Sequence, residues 1–81
     1  MNKDEIFREL RSLLVELFEV APDDVQLDTD LYAELDIDSI DAVDLLASLR
    51  EKTGTRLSPE KFRQVRTVSD VVDTVYEQLS S

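Results

Sequence analysis

The chain has no cysteine, no histidine and no tryptophan, and its 81 residues include only one glycine and two prolines. Without cysteine there is no disulfide, no thiolate metal site and no thiol nucleophile. Without histidine there is no Ser-His-Asp arrangement, and both the usual general base and the commonest zinc ligand are missing. Any thiol chemistry must therefore come from an added group. So few glycines and prolines favour long helices over a turn-rich β fold. Positive charge is scarce as well: nine Lys and Arg stand against nineteen Asp and Glu, for a net charge of −10. Such a balance disfavours nucleic acid and anionic membrane surfaces and favours partners with basic patches. No apolar run approaches membrane-spanning length, and Met1-Asn2-Lys3-Asp4-Glu5 lacks the apolar segment of a signal peptide. No membrane insertion and a cytoplasmic location are the expectation.

What is present is a helical pattern. Apolar residues make up 42% of the chain, enough for one folded domain over residues 1–81 and too many for typical disorder. A domain of this size is marginally stable unless its helices pack well. The spacing predicts a first helix over Lys3–Phe18, capped by Asn2 with Glu5 at the capping-box position. Ile6, Leu10, Leu13, Leu14 and Leu17 form its core stripe, widened by Phe7 and Phe18. Pro22 stops this helix from continuing. Residues 20–38 form a long connection whose Val25, Leu27, Leu31, Tyr32 and Leu35 are expected to anchor it over the bundle, with a helical turn at 31–35. A second helix runs over Ser39–Thr53, ended by Gly54 as a left-handed cap, with Ala42, Leu45, Leu46 and Leu49 facing the core. A short third helix at 59–64 starts on Pro59 with Ser58 as its cap and buries Leu57, Phe62 and Val65 around it. The fourth runs over 68–79, opened by the capping-box pair Thr67 and Asp70, with Val68, Val71, Val72, Val75, Tyr76 and Leu79 on its apolar face. The expected fold is all-α: a small four-helix bundle, three helices long and one short, with a long first loop.

Charge is spread unevenly. Through Leu49 there are three basic residues against fourteen acidic ones, and from Arg50 onward six against five. The acid gathers in the loop and around Ser39. Asp28, Asp30, Asp36 and Asp38 invite a calcium reading, but the spacing lacks the turn glycine and the final acidic ligand of an EF-hand, so no dedicated metal site is expected.

The informative stretch is Asp38-Ser39-Ile40-Asp41-Ala42-Val43-Asp44-Leu45. Asp38 is a good N-cap, and Asp41 can reach back to it in the manner of a capping box. Ser39 then stands at the first helical position. There the partial positive charge and unpaired N–H groups of a helix N-terminus suit a phosphate on its hydroxyl. Ile40, Val43 and Ala47 fall on a different side of the helix from the core, next to Asp44 and Glu51. An apolar strip with an acidic rim is what a transient docking surface needs.

Asp38-Ser39-Ile40, followed by Asp41-Ala42-Val43-Asp44-Leu45, resembles the attachment motif of acyl carrier proteins. The likeness extends over nearly the whole chain: the helix order, the long first loop, the serine opening the second helix, and Thr67-Val68 opening the last. It implies a non-catalytic carrier, with 4′-phosphopantetheine from coenzyme A joined to Ser39 through a phosphodiester and acyl groups held on the arm as thioesters. Asp38 and Ile40 match the residues flanking the family's serine. Asp41, Asp44 and Glu51 match its acidic docking positions, with Val43 and Ala47 on the strip between them. The implied partners are a phosphopantetheinyl transferase and acyl-loading, condensing and acyl-transfer enzymes with basic patches, approached by a monomer. Leu45, Leu49, Val65 and Val71 are positioned to shelter a bound chain inside the bundle.

The chain departs from the family pattern at Asp36, where glycine is frequent, and at Ala47, where methionine is common. Arg50 and Lys52 stand where acids are frequent, and Thr53 where a large apolar residue is often found. These changes point to a specialised carrier in fatty acid, polyketide or related lipid and secondary-metabolite synthesis. Two alternatives stay open: a peptidyl or aminoacyl carrier, since Asp-Ser-Ile occurs there too, and an unmodified acidic helical adaptor. Ser39 discriminates, because an adaptor has no need of its hydroxyl. An enzyme is disfavoured, since no basic side chain stands near Ser39 in sequence to activate it.

Overall fold

The computed structural model describes residues 1–54 and 56–80. Its helices are α1 (Lys3–Phe18), α2 (Ser39–Thr53), α3 (Pro59–Phe62) and α4 (Val68–Ser80). A 3-10 turn, Pro22–Asp24, interrupts the long connection between α1 and α2. Among the described residues there is no strand, only an isolated antiparallel bridge between Asp30 and Thr67. The all-α bundle of three long helices and one short is the architecture the patterning predicts.

Each long helix begins where its side chains satisfy the free N–H groups of the first turn. At α1 the Glu5 N–H donates to Asn2 Oδ1 at 2.9 Å and the Asn2 N–H to Glu5 Oε1 at 3.1 Å. At α4 the Asp70 N–H donates to Thr67 Oγ1 at 3.1 Å, while Asp70 Oδ2 accepts from the N–H groups of Arg66 and Thr67 at 3.1 and 3.2 Å. Those two N–H groups, Arg66 first, hold the Asp70 carboxyl below the usual carboxylate range. At α3 the expected cap is absent: Ser58 makes no side-chain bond to its helix. That helix is also shorter than expected, ending at Phe62 and passing into a turn in which the Gln64 and Val65 N–H groups reach Lys61 and Phe62 carbonyls. A helix this short gains little from a cap, and Pro59 already removes one of the free donors.

α1 packs against both α2 and α4, and α3 rests on α4. The core between them is aliphatic: Ile6, Leu10, Leu14, Leu45, Leu49, Val68, Val71 and Val75 are completely buried. Leu13, Leu46, Leu57, Phe62, Val65 and Val72 join them, as their spacing predicts. Ala42, Phe7, Phe18 and Leu79 pack at its edge. Two expectations fail. Leu17 is exposed, because it lies in the last turn of α1, where Phe18 and Val20 pack against the core instead. Tyr76 is also exposed, and its ring takes the Lys3 ammonium 5.4 Å from its centroid rather than joining the apolar face. Pro22 is likewise not the stop signal for α1. The helix ends earlier, at Glu19, whose left-handed φ of 57° turns the chain, and Pro22 instead starts the 3-10 turn.

The long connection is held by backbone bonds to the start of α4. The Leu31 N–H donates to the Arg66 carbonyl at 2.8 Å, and the N–H groups of Val68 and Ser69 donate to the carbonyls of Thr29 and Leu27 at 3.0 and 2.8 Å. Leu27 therefore anchors through its carbonyl, and its side chain is exposed, contrary to expectation. Val25, Leu31 and Ile37 are buried, while Tyr32 and Leu35 are half-buried. Burying one such aliphatic side chain contributes about 1.5–3 kcal/mol. The exposed Arg66–Asp30 ion pair, at 3.9 Å, belongs to a class worth about 0–1 kcal/mol, so the apolar anchors and backbone bonds hold the loop.

Thr29 is the one buried polar residue among those described. Its hydroxyl donates to the Asp24 carbonyl at 3.0 Å and accepts from the Gln26 N–H at 2.9 Å. Thr29→Val keeps the shape but removes both part-buried bonds, leaving the Gln26 N–H and the Asp24 carbonyl without this partner. It is expected to lower stability by about 1–3 kcal/mol in urea denaturation. An unchanged midpoint would show that the hydroxyl does not hold the loop.

Candidate functional site

Everything between Leu31 and α2 directs the chain toward one helix start. The Glu34 N–H donates to the Asp30 carbonyl at 2.9 Å, closing the single helical turn expected at 31–35. Asp30 Oδ1 accepts from the N–H groups of Tyr32 and Ala33, both at 2.9 Å. The Ala33 bond leads in holding the Asp30 carboxyl below its ordinary range; desolvation opposes it, and the Tyr32 bond and the Arg66 charge add to the lowering. The chain then reverses at Asp36, whose φ is 54°. That left-handed conformation favours glycine and is tolerated by Asp better than by most residues. Ile37 follows, buried, with its N–H on the Leu31 carbonyl at 3.1 Å.

Asp38 next adopts the extended conformation of an N-cap. The Asp41 N–H donates to Asp38 Oδ1 at 2.9 Å, and the Asp38 N–H reaches Asp41 Oδ2 at 3.4 Å. The return bond is long because Asp is one methylene shorter than the usual Glu. This box fixes Ser39 as the first residue of α2, exposed to solvent. Asp41 is half-buried and committed to the cap, whereas Ile40, Val43, Asp44, Ala47 and Glu51 are all exposed. Ile40 and Val43 are 73% and 64% exposed, so neither is covered by the long loop. Among the described residues, no ion pair takes up Asp36, Asp38, Asp41, Asp44 or Glu51.

A groove of about 600 Å³ opens directly from Ser39. Ile40, Val43 and Asp44 of α2 form one wall, and Pro59 and Arg63 the other. Leu46 and Phe62, both buried, make the floor, and the half-buried Tyr32 lies on the loop side. Tyr32, Pro59, Phe62 and Arg63 carried no functional signal in the sequence, where Phe62 counted as core and Tyr32 as a loop anchor. The loop brings Tyr32, and α3 with the residue after it brings Pro59, Phe62 and Arg63, to the groove beside Ser39.

The arrangement fits a phosphate-linked arm. An exposed hydroxyl stands at a helix start whose partial positive charge offsets the single negative charge of a phosphodiester against Asp38 and Asp41. An apolar groove begins at the same residue and gives an attached chain somewhere to lie. The titratable groups closest to Ser39 in sequence are the carboxylates Asp36, Asp38 and Asp41, the last two of which accept the bonds of the capping box.

Comparisons with known proteins agree with this geometry. A sequence profile described as a phosphopantetheine attachment site matches residues 8–75. The chain is 46% identical to acyl carrier protein 2 of Ralstonia nicotianae over 81 residues, all of both chains. It is 35% identical to the acyl carrier protein of Coprothermobacter proteolyticus over 79 residues, 98% of this chain and 96% of that one. Among solved structures, the acyl carrier protein of Thermotoga maritima superposes with a TM-score of 0.83 at 24% identity, covering 99% of this chain and 93% of that one. The Enterococcus faecalis acyl carrier protein gives 0.80 at 23%, covering 96% and 99%. These two likenesses speak for the fold.

The backbone at Asp36 carries a separable cost. Asp36→Gly and Asp36→Ala both remove the charge, so their difference isolates the conformation. The glycine variant is expected to be the more stable by about 1 kcal/mol in urea denaturation. Equal stability would mean that residue 36 is not held at positive φ.

Proposed function

This chain belongs to the acyl carrier protein family, and from that premise we propose that Ser39 is the residue that carries its 4′-phosphopantetheine. The observation that carries the proposal is the position of Ser39: exposed, first in α2, set by the Asp38–Asp41 capping box and opening onto an apolar groove. When attached, the group supplies a terminal thiol that holds an acyl chain as a thioester. In the modification step the Ser39 hydroxyl oxygen forms a bond to the phosphorus of coenzyme A that bears the pantetheine. The pyrophosphate P–O bond breaks, 3′,5′-adenosine bisphosphate leaves, and the hydroxyl proton passes to a base.

The residues of the chain have separate parts in this. Asp38 holds the helix start and thereby the hydroxyl. Ile40, Val43 and Ala47 offer apolar area to a docking enzyme, while Asp44 and Glu51 steer a basic surface toward it. Asp41 contributes field but less reach, since it is half-buried and its carboxylate accepts the long return bond of the cap. Arg50 and Lys52, both exposed, change the sign of charge at the far end of the helix. That supports a set of partner enzymes suited to a two-signed helix. The names of the relatives favour acyl over aminoacyl cargo.

Incubation with coenzyme A and a broad-specificity phosphopantetheinyl transferase is expected to add one phosphopantetheine to the parent chain and none to Ser39→Ala, read by intact-protein mass. Modification of the alanine variant, or none of a folded parent, would contradict the assignment. Asp44→Lys is expected to slow the transfer several-fold through a weaker encounter, with the denaturation midpoint unchanged. Unaltered kinetics would remove Asp44 from the docking face.

A further inference from the structure

The end of α2 away from Ser39 carries a charge pattern that an acidic composition does not explain. At about 100° per residue, Ile40, Val43, Asp44, Ala47, Arg50 and Glu51 fall within an arc of about 120°. Arg50 therefore continues the exposed strip of Ile40, Val43 and Ala47, whereas Lys52 falls outside it. The helix ends at Gly54, whose left-handed φ is 66°. A shallow recess of about 350 Å³ opens at this end, lined by Ala47, Arg50, Glu51, Gly54 and Arg56.

Both guanidinium side chains are exposed, and among the described residues neither is in an ion pair, although Glu51 lines the same recess. Lys3, Lys61 and Arg66, by contrast, each pair with a carboxylate of the chain. The helix dipole favours a cation in the last turn and so accounts for Arg50, but Arg56 lies past the cap, where that effect has faded. Two planar, permanently charged forks around one recess suit a carboxylate, which each can hold through two hydrogen bonds. A nucleic acid or an anionic membrane is a poor occupant, because Asp44 and Glu51 lie on the same strip and repel it. A protein surface bearing both signs fits the whole strip.

We propose that Arg50 and Arg56 receive an Asp or Glu side chain of the partner enzyme, while Asp44, about 9 Å nearer Ser39 along the helix axis, receives a Lys or Arg. The inference rests on the exposed strip of α2 being the docking face. Its consequence is orientation. An acidic helix can lie on a uniformly basic patch in either direction. A helix acidic at one end and basic at the other has one favoured direction, which fixes where Ser39 meets the partner. The same pattern turns away enzymes whose docking surface is basic along the whole helix, since these meet Arg50 and Arg56 with like charge.

The test uses the full chain, coenzyme A and a phosphopantetheinyl transferase whose carrier-facing surface is basic throughout, with kcat/KM read by intact-protein mass. Arg50→Glu/Arg56→Glu is expected to be modified several-fold faster than the parent, through KM. The gain is expected to vanish in about 1 M salt, where the screening length falls to about 3 Å. The docking lysines and arginines of the transferase are then changed to Glu one at a time. At one position the change is expected to speed the parent and slow Arg50→Glu/Arg56→Glu, several-fold each, which is a direct coupling between the two proteins. Arg50→Gln/Arg56→Gln, expected to fall between parent and reversed variant, decides the matter if the reversed variant does not fold. An unchanged or lower rate for the arginine variants overturns the proposal, as does the absence of any coupled position. If Asp44→Lys slows transfer while the arginine variants match the parent, this inference alone fails. If neither has an effect, α2 is not the docking face and both readings fail. A parent that gains no mass removes the carrier reading and this inference with it.

Discussion

The structure depends on a clasp between two segments far apart in the chain. Residues 29–31 lie antiparallel to residues 66–68, joined by the bonds from the Leu31 N–H to Arg66 and from the Val68 N–H to Thr29. The clasp secures a long loop in a domain too small to hold it by core area alone. It also sets a reference point. Residue 30 begins the turn, the turn delivers Asp36, and Ile37 drops into the core seven residues after the bridge. Asp38 can cap α2 only because this path brings it to the helix start at the right orientation. The same segment carries the capping bonds of α4 at Arg66 and Thr67. One short pairing thus fixes the beginnings of two helices.

The site accepts conditions that the rest of the molecule avoids. Asp36 takes a left-handed backbone, and unpaired carboxylates crowd around the first turn of α2. Ile40 and Val43 face water although they are among the larger apolar side chains. Each of these disfavours the isolated chain, and on the proposed function each has a use: the reversal would present the serine, the acids would attract a basic partner, and the exposed apolar strip would give the encounter its contact area. Lys61, Arg66 and Lys3 are paired with Glu77, Asp30 and Asp73, so the ion pairs lie on the side of α3 and α4 and leave the acidic face open.

Local chemistry was legible in the sequence and long-range chemistry was not. The bounds of α1 and α2 follow from caps and apolar spacing within a few residues of each end, and so do the capping boxes at Asn2, Asp38 and Thr67. The place of Ser39 at the start of α2 follows from the same local caps, while its attachment role rests on the family resemblance. Leu27 was misplaced because its anchoring uses a carbonyl, which hydropathy does not register. Thr29 and Ile37 were overlooked as anchors because their burial depends on what crosses over them. Leu17 and Tyr76 fit their helical stripes and are exposed all the same, since a stripe does not tell how far the neighbouring helices extend. The groove had no sequence signal at all: it is formed by α2, α3 and the loop together, and Phe62 reads as a core residue until its position beside Ser39 is seen.

The central claim is that a single hydroxyl, on the first residue of α2, bears the phosphate-linked group. The most direct measurement is a ¹H–³¹P correlation spectrum of the modified protein. One phosphodiester resonance coupled to the β-protons of Ser39 is the expected result. Coupling to another serine or threonine, or a phosphorus signal with no protein coupling, would contradict it.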